Sequence, residues 1–214
     1  SQDADEEFYH LKQDERKNKK QPFVDKTIYV DWNAMMISSY IKAGVIFNDK
    51  EIIKFAVKTA NFILKNCYNQ KNGVSHFFDG KQSADGLLSD NIYYLNCMID
   101  AYSIIQNKEY LTKINELAEF ILKNFYDAQN GGFFDRILKE ENLGLLKYKE
   151  KQFLENCFSS IVFLRLSFLT KEQKYRQAAE KSLLYFADAY LSFSYFGAMY
   201  AMAVDILLNE ILIT

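Results

Sequence analysis

The pentapeptide Phe62-Ile63-Leu64-Lys65-Asn66 recurs unchanged at Phe120-Ile121-Leu122-Lys123-Asn124, 58 residues later. No other feature limits the fold so strongly. The register extends in both directions. Tyr68 answers to Tyr126, Asn72-Gly73 to Asn130-Gly131, and, across a two-residue gap, Phe77-Phe78-Asp79 to Phe133-Phe134-Asp135. Upstream, Asp31-Trp32-Asn33 answers to Ser89-Asp90-Asn91, and a third copy opens at Leu154-Glu155-Asn156. Self-similarity at a fixed period marks a fold of stacked units, none of which buries its apolar face alone.

Hydrophobic spacing resolves each unit into two helices. The first reads as 31–47 and 51–67, the second as 90–105 and 109–125, the third as 154–169 and 173–190, with an unpaired last helix over 195–210. The first helix of each pair is apolar on more than one side, as in Trp32, Met35, Met36, Ile37 and Tyr40. The second carries a charged face, as in Lys113, Glu116, Glu119 and Lys123. Helices that are apolar most of the way round lie inside, and amphipathic ones outside. Links within a pair span three or four residues, and links between pairs 20 or more. Paired helices are therefore antiparallel neighbours, and the long connections are where function is expected. Tetratricopeptide arrays are excluded, because they repeat every 34 residues or about that. The expected fold class is all-α: an α/α toroid with about three and a half hairpins of a six-hairpin ring. It occupies 31–214, behind a charged linker over 1–30.

Composition removes other classes. One proline and eight glycines in 214 residues are too few for a fold of many tight turns, so an all-β sandwich is excluded. A net charge of −2 offers no field for nucleic acid or an anionic membrane. No run approaches the roughly 20 apolar residues of a membrane span; Ile161–Leu169 is broken by Arg165 and reads as a buried helix. The first 20 residues lack an apolar leader core. Cys67, Cys97 and Cys157 fit neither a redox pair nor a zinc set and read as buried thiols of a reducing cytoplasm. His10 and His76 are the only histidines and lack neighbouring ligand spacing, so neither metal nor cofactor is expected.

Asp25-Lys26-Thr27-Ile28-Tyr29-Val30-Asp31-Trp32-Asn33-Ala34-Met35-Met36 resembles a segment of the helical domain in thioredoxin-domain proteins related to spermatogenesis-associated, thioredoxin-like proteins. Leu87-Leu88-Ser89-Asp90 and Gly131-Gly132-Phe133-Phe134 continue the resemblance, and Asp3-Ala4-Asp5 before Phe8-Tyr9 is similar to that family's acidic linker. The resemblance implies a six-hairpin toroid related to glycoside hydrolases and to N-acylglucosamine 2-epimerase. The family's thioredoxin-like domain has no counterpart here, so no redox role is implied.

Asn33, Asn91 and Asn156 each follow an acid by one or two residues at the start of an inner helix. The plain reading is capping, which Asp and Asn favour. The functional reading is that three helix N-termini converge on one mouth and present amides and carboxylates to a polar ligand such as a sugar. Asp90 is then the first candidate for a general acid or base and Glu155 the second. Trp32 is expected in the core, with stacking on a sugar ring as its other reading. Phe78 and Phe134 are the candidate cleft-lining members of their pairs, and His76 the one histidine in a candidate loop. A glycosidase needs two carboxyls roughly 5–10 Å apart, and Asp31, Asp79, Asp90, Asp135 and Glu155 offer them. An epimerase commonly uses two histidines, and only one is available. The expected function is binding of, or action on, a carbohydrate or polyol by carboxylate acid–base chemistry. The alternative is a non-catalytic helical module that binds a partner domain. An open arc also exposes apolar flanks, which implies a second copy or a missing half of the ring as partner.

Overall fold

The computed structural model describes residues 6–140 and 142–210. Asp3-Ala4-Asp5 and the terminal Ile211-Leu212-Ile213 lie outside them. Two short exposed turns, α1 (Glu6–His10) and α2 (Gln13–Arg16), precede the hairpins.

Three turns of one design then fold the repeat. Asn48, Gln106 and Lys171 take left-handed backbone angles, and each is followed at once by the residue that caps the next helix. Oδ1 of Asp49 accepts from the amides of Glu51 and Ile52 at 2.9 and 3.1 Å, and Oδ1 of Asn107 from Glu109 at 2.9 Å. These bonds satisfy otherwise orphaned helix donors. The first hairpin is α3 (Val30–Ile46) with α4 (Lys50–Asn66). The second is α5 (Leu88–Ile105) with α6 (Lys108–Asn124), and the third α7 (Phe153–Thr170) with α8 (Gln173–Tyr185). A last helix, α9 (Gly197–Asn209), packs on α7 and α8.

Helices α3, α5 and α7 lie side by side as the inner layer, and α4, α6 and α8 flank them outside. The inner α5 and α7 are buried around most of their circumference, whereas α4 buries only Ala56, Ala60 and Ile63. The layers are tied across hairpins. The Tyr94 hydroxyl of α5 donates to the Ala60 carbonyl of α4 at 2.9 Å. Within the inner layer the Arg165 guanidinium of α7 binds Asn96 and Asp100 of α5, and Asn96 donates to Oγ of Ser38 in α3 at 3.1 Å. Helix α7 has the length and apolarity of a membrane span, but it is mostly buried and Arg165 is engaged in this network. The segment Tyr190–Asn209 also has that length and apolarity, contrary to the expectation of no such stretch. Non-helical angles at Ser194 break it into a 3-10 segment and α9.

The long connections are not bare loops. Three short strands occupy the first, β2 (Tyr68–Asn69), β3 (Gly73–Phe78) and β4 (Gln82–Asp85), and β1 (Ile28–Tyr29), just ahead of α3, joins them. All pair antiparallel on β3, with Tyr29 opposite Phe77, Tyr68 opposite Val74, and Ser75 opposite Asp85. The second connection keeps two isolated bridges, Tyr126 with Phe133 and Leu87 with Arg136. Strands of two residues leave no periodic trace in a sequence.

These pairings correct the repeat register. Tyr68 meets Val74 as Tyr126 meets Phe133, and the Cys67 carbonyl accepts from Ser75 as the Phe125 carbonyl accepts from Phe134, both at 2.9 Å. Val74 therefore corresponds to Phe133, and His76 to Asp135. The matching Phe-Phe-Asp triplets misplace the gap: the second connection is longer by one residue before Phe133 and by six after Asp135.

Candidate functional site

The helix starts differ from simple caps. Tyr29, Leu87 and Gln152 occupy the N-cap positions without side-chain caps, and Asp31, Asp90 and Glu155 lie inside the first turns. There they face the positive end of the helix dipole. Each Asn reaches back to the N-cap carbonyl instead: Asn33 to Tyr29, Asn91 to Leu87 and Asn156 to Gln152, at 2.7, 2.7 and 2.8 Å. In the second and third units the Asn oxygen also holds the incoming connection. Oδ1 of Asn91 accepts from the Val74 amide at 3.0 Å, and Oδ1 of Asn156 from the Phe133 amide at 2.6 Å. Both side chains are buried, so the role the structure gives Asn91 and Asn156 is to clamp backbone, in place of the ligand contact expected of them.

The clamp places the next residues at the rim. Two positions beyond Val74, Nδ1 of His76 lies 3.1 Å from both carboxylate oxygens of Asp90. Asp90 is 0% exposed, whereas the His76 ring is partly open. Nε2 of His76 has no hydrogen-bond partner among the described residues. Burial pushes the Asp90 carboxyl up to about 7; the neighbouring His76 opposes the shift and the charge of Asp31 adds to it. Asp31, His76 and Asp90 offer ligand atoms within 4.8 Å of one another. His76 thus has the acidic neighbours that its sequence context did not reveal, although a cation there has to displace the His76–Asp90 bond.

The second connection repeats the arrangement with different chemistry. Asp135, in the place of His76, is buried; it accepts from the Glu150 amide at 2.8 Å and pairs with Arg136 at 2.6 Å. Glu155, in the place of Asp90, is pushed up to about 7 by burial, then by the charges of Asp135 and Asp31, against Arg136. Its Oε2 is buried without a hydrogen-bond partner among the described residues. The Tyr93 hydroxyl, raised by burial, also feels Glu155 and Asp31, and its ring stacks on Phe158 at 4.6 Å. Asp31 lies within electrostatic reach of Asp90, Glu155 and Tyr93 alike. The three inner-helix starts thus converge on one rim.

The aromatic assignments change. Trp32 is 62% exposed, contrary to the core expectation. It takes the rim position that Asp90 and Glu155 hold in the later units, and its ring rests on Tyr29 at 5.2 Å. Tyr29 in turn meets the edge of His76 at 5.8 Å. Phe78 turns away from the rim onto Phe62 of α4, at 5.5 Å. Phe133 plugs the core against Phe163, and the face of Phe134 is taken by Lys149 at 3.8 Å and Lys151 at 5.0 Å. Phe78 and Phe134 are both partly buried in these contacts. Asn33 remains half-exposed beside Trp32. Asp31 stands among the carboxyls that the sequence offers, whereas nothing in the sequence marks Tyr93 as a residue of this rim.

The sequence model of glycosyl hydrolase family 47 matches residues 11–210. The chain belongs to this family. Among curated relatives, human spermatogenesis-associated protein 20 is 26% identical over 132 residues, covering 56% of this chain and 16% of its own length. Among solved structures, the family 76 α-mannanase of Bacteroides thetaiotaomicron aligns with a TM-score of 0.70 at 16% identity, covering 90% of this chain and 54% of its own. The cellobiose 2-epimerase of Spirochaeta thermophila aligns with a TM-score of 0.64 at 16% identity, covering 78% and 44%. At such identity the likeness is one of fold: the α/α toroid of the six-hairpin glycosidases. This family 47 member spans about half the length of those solved chains and far less of the human relative.

Proposed function

We propose that the rim binds a carbohydrate and that Glu155 donates a proton to the leaving oxygen of a glycosidic bond, with Asp31 as the second carboxylate. The observation that carries this reading is the state of Glu155. A carboxyl pushed up to about 7 retains a proton near neutrality, and among the described residues its buried Oε2 has no partner that claims that proton. The Trp32–Tyr29 pair supplies an apolar platform of the kind a sugar face stacks on. Asp90, buried behind the imidazole, is a positioning residue: it fixes one nitrogen of His76 and turns the other outward.

That pair also favours a second reading, proton transfer at a sugar carbon by His76. A cellobiose 2-epimerase is among the proteins that share this fold, and its name describes such a reaction.

The test is thermal unfolding against a panel of mannosides, glucosides and free aldoses, followed by assays for released reducing sugar and for epimerised sugar. A ligand at ten times its dissociation constant raises the melting point by about 3–6 °C. Glu155→Gln is expected to abolish the hydrolytic assay by about 100-fold or more while leaving the thermal shift. Loss of epimerised product in His76→Gln alone selects the second reading. A panel with no shift overturns the sugar site and leaves a helical partner-binding module.

A further inference from the structure

The two matched halves of the rim differ in where positive charge comes from. In the second connection the chain supplies its own cation: Nε of Arg136 donates to Asp135 at 2.7 Å, and the guanidinium charge reaches Glu155. The register of the hydrogen bonds puts Phe77 in that place in the first connection, and Phe77 has no charge to give. Among the described residues the one ion-pair partner of Asp90 is His76, and no lysine or arginine pairs with Asp31. Asp90 is also 0% exposed. A carboxylate held away from water without a fixed cation is costly.

What the first connection offers instead is a set of ligand atoms. Asp31 comes from the first turn of α3, Asp90 from the first turn of α5 and His76 from β3, and one atom of each lies within 4.8 Å of the other two. Nδ1 of His76 is 3.1 Å from both oxygens of Asp90. An ion with bonds of about 2.1 Å holds neighbouring ligand atoms roughly 3.0–3.4 Å apart, whether octahedral or tetrahedral. This pair therefore has the spacing of one edge of a coordination shell. The backbone holds His76 from both sides, because Ser75 pairs with Asp85 and Phe77 with Tyr29. The rings of Tyr29 and Phe77 close on the imidazole at 5.8 and 6.1 Å, and its remaining side is open to solvent.

We propose that Asp31, His76 and Asp90 bind a divalent transition-metal ion of the zinc type. Two carboxylates neutralise its charge. The imidazole nitrogen favours such an ion over Ca²⁺ and Mg²⁺, which take oxygen ligands. Three protein ligands leave a position for water, as in an open zinc site. The ion replaces the proton held between Nδ1 and Asp90, which passes to solvent. The inference stands apart from the sugar reading: a filled site withdraws Asp31 from hydrolysis, and no sugar enters its test.

The test strips the full chain of metal with a chelator and titrates it with Zn²⁺ or Co²⁺. The expected results are one ion per chain by calorimetry and a visible d–d band for Co²⁺. The melting point rises by about 5–11 °C at a hundredfold excess over the dissociation constant. The chain has only two histidines, so NMR reads the ligand directly. At one equivalent of zinc the ring signals of His76 shift and those of His10 stay. His76→Gln and Asp31→Asn, both at partly exposed positions, weaken zinc binding about 100-fold or more. His10→Gln leaves it unchanged. Ring signals of His76 that stay fixed at saturating zinc overturn the proposal, as does Ca²⁺ binding as tight as that of zinc. Loss of the ion in His10→Gln assigns it to the N-terminal segment and sinks the site.

Discussion

The two inter-hairpin connections share a scaffold and differ in what it presents. Both deliver an amide after a left-handed glycine to a buried Asn, and both set a side chain two positions later beside an acid at an inner-helix start. In the first that side chain is His76, which can offset the charge of Asp90. In the second it is Asp135, whose like charge raises Glu155 further. The backbone device is fixed, and the chemistry is set by one residue per copy. One carboxyl thereby lies against an imidazole, and the other is held beside a second acid.

The largest expected effects come from breaking the shared clamp. Asn156 bonds both the amide and the carbonyl of Phe133, the Gln152 carbonyl and the Ser182 hydroxyl, whereas Asn91 bonds only the Val74 amide and the Leu87 carbonyl. Asn156→Ala should cost about 3 kcal/mol or more and Asn91→Ala about 2 kcal/mol, because buried partners are left unsatisfied. Urea unfolding measures both, and a reversed order breaks the equivalence of the two connections.

The next effect is in pH. The native carboxyls of Asp90 and Glu155 are pushed up to about 7, above their unfolded values near 4. The native state then holds more protons than the unfolded one across that interval. The stability these two groups contribute is fully present below pH 4 or about that, falls as pH rises to roughly 7, and levels off above. Glu155→Gln should flatten part of this slope and leave the part due to Asp90, as melting curves at stepped pH would reveal.

A subtler contrast separates the two neighbours. His76→Gln removes the group that opposes the shift of Asp90, so that carboxyl should titrate higher. Asp135→Asn removes a like charge, so Glu155 should titrate lower. Carboxyl-carbon NMR titration reads both directions, and movement of the two in the same sense contradicts the arrangement. The smallest effect on stability belongs to Trp32→Ala, within about 0.5 kcal/mol, since exposed surface positions contribute little. The same substitution should weaken sugar binding in the thermal panel.

Much of this architecture was legible in the sequence. The pentapeptide repeat, the apolar-all-round inner helices and the Asp49 and Asn107 turns all follow from local chemistry. The partnering of Glu155 with an acid-rich rim was also within reach, because acids recur at each inner-helix start. The connections were opaque for a physical reason. Their strands are two to six residues long, and their register is set by contacts with remote helices. Identity alone therefore aligned Phe77-Phe78 with Phe133-Phe134, whereas the hydrogen bonds align Val74 with Phe133. The exposure of Trp32 was hidden likewise, since it depends on the rim position and not on the residue's preference for cores.

The Arg165 network has a consequence for how the molecule comes apart. Stacked repeats without long-range ties open from their ends, one unit at a time. Here a cation from the third inner helix is bound by Asn96 and Asp100 of the second, and Asn96 reaches Ser38 of the first. Separating the second hairpin from the third strands a buried charge and its partners in a poorly solvated interior, at a cost of several kcal/mol, whereas the first gives up only the Ser38 bond. Fraying is therefore penalised between the second and third units, where an ordinary array permits it, and those two inner helices are tied to open together.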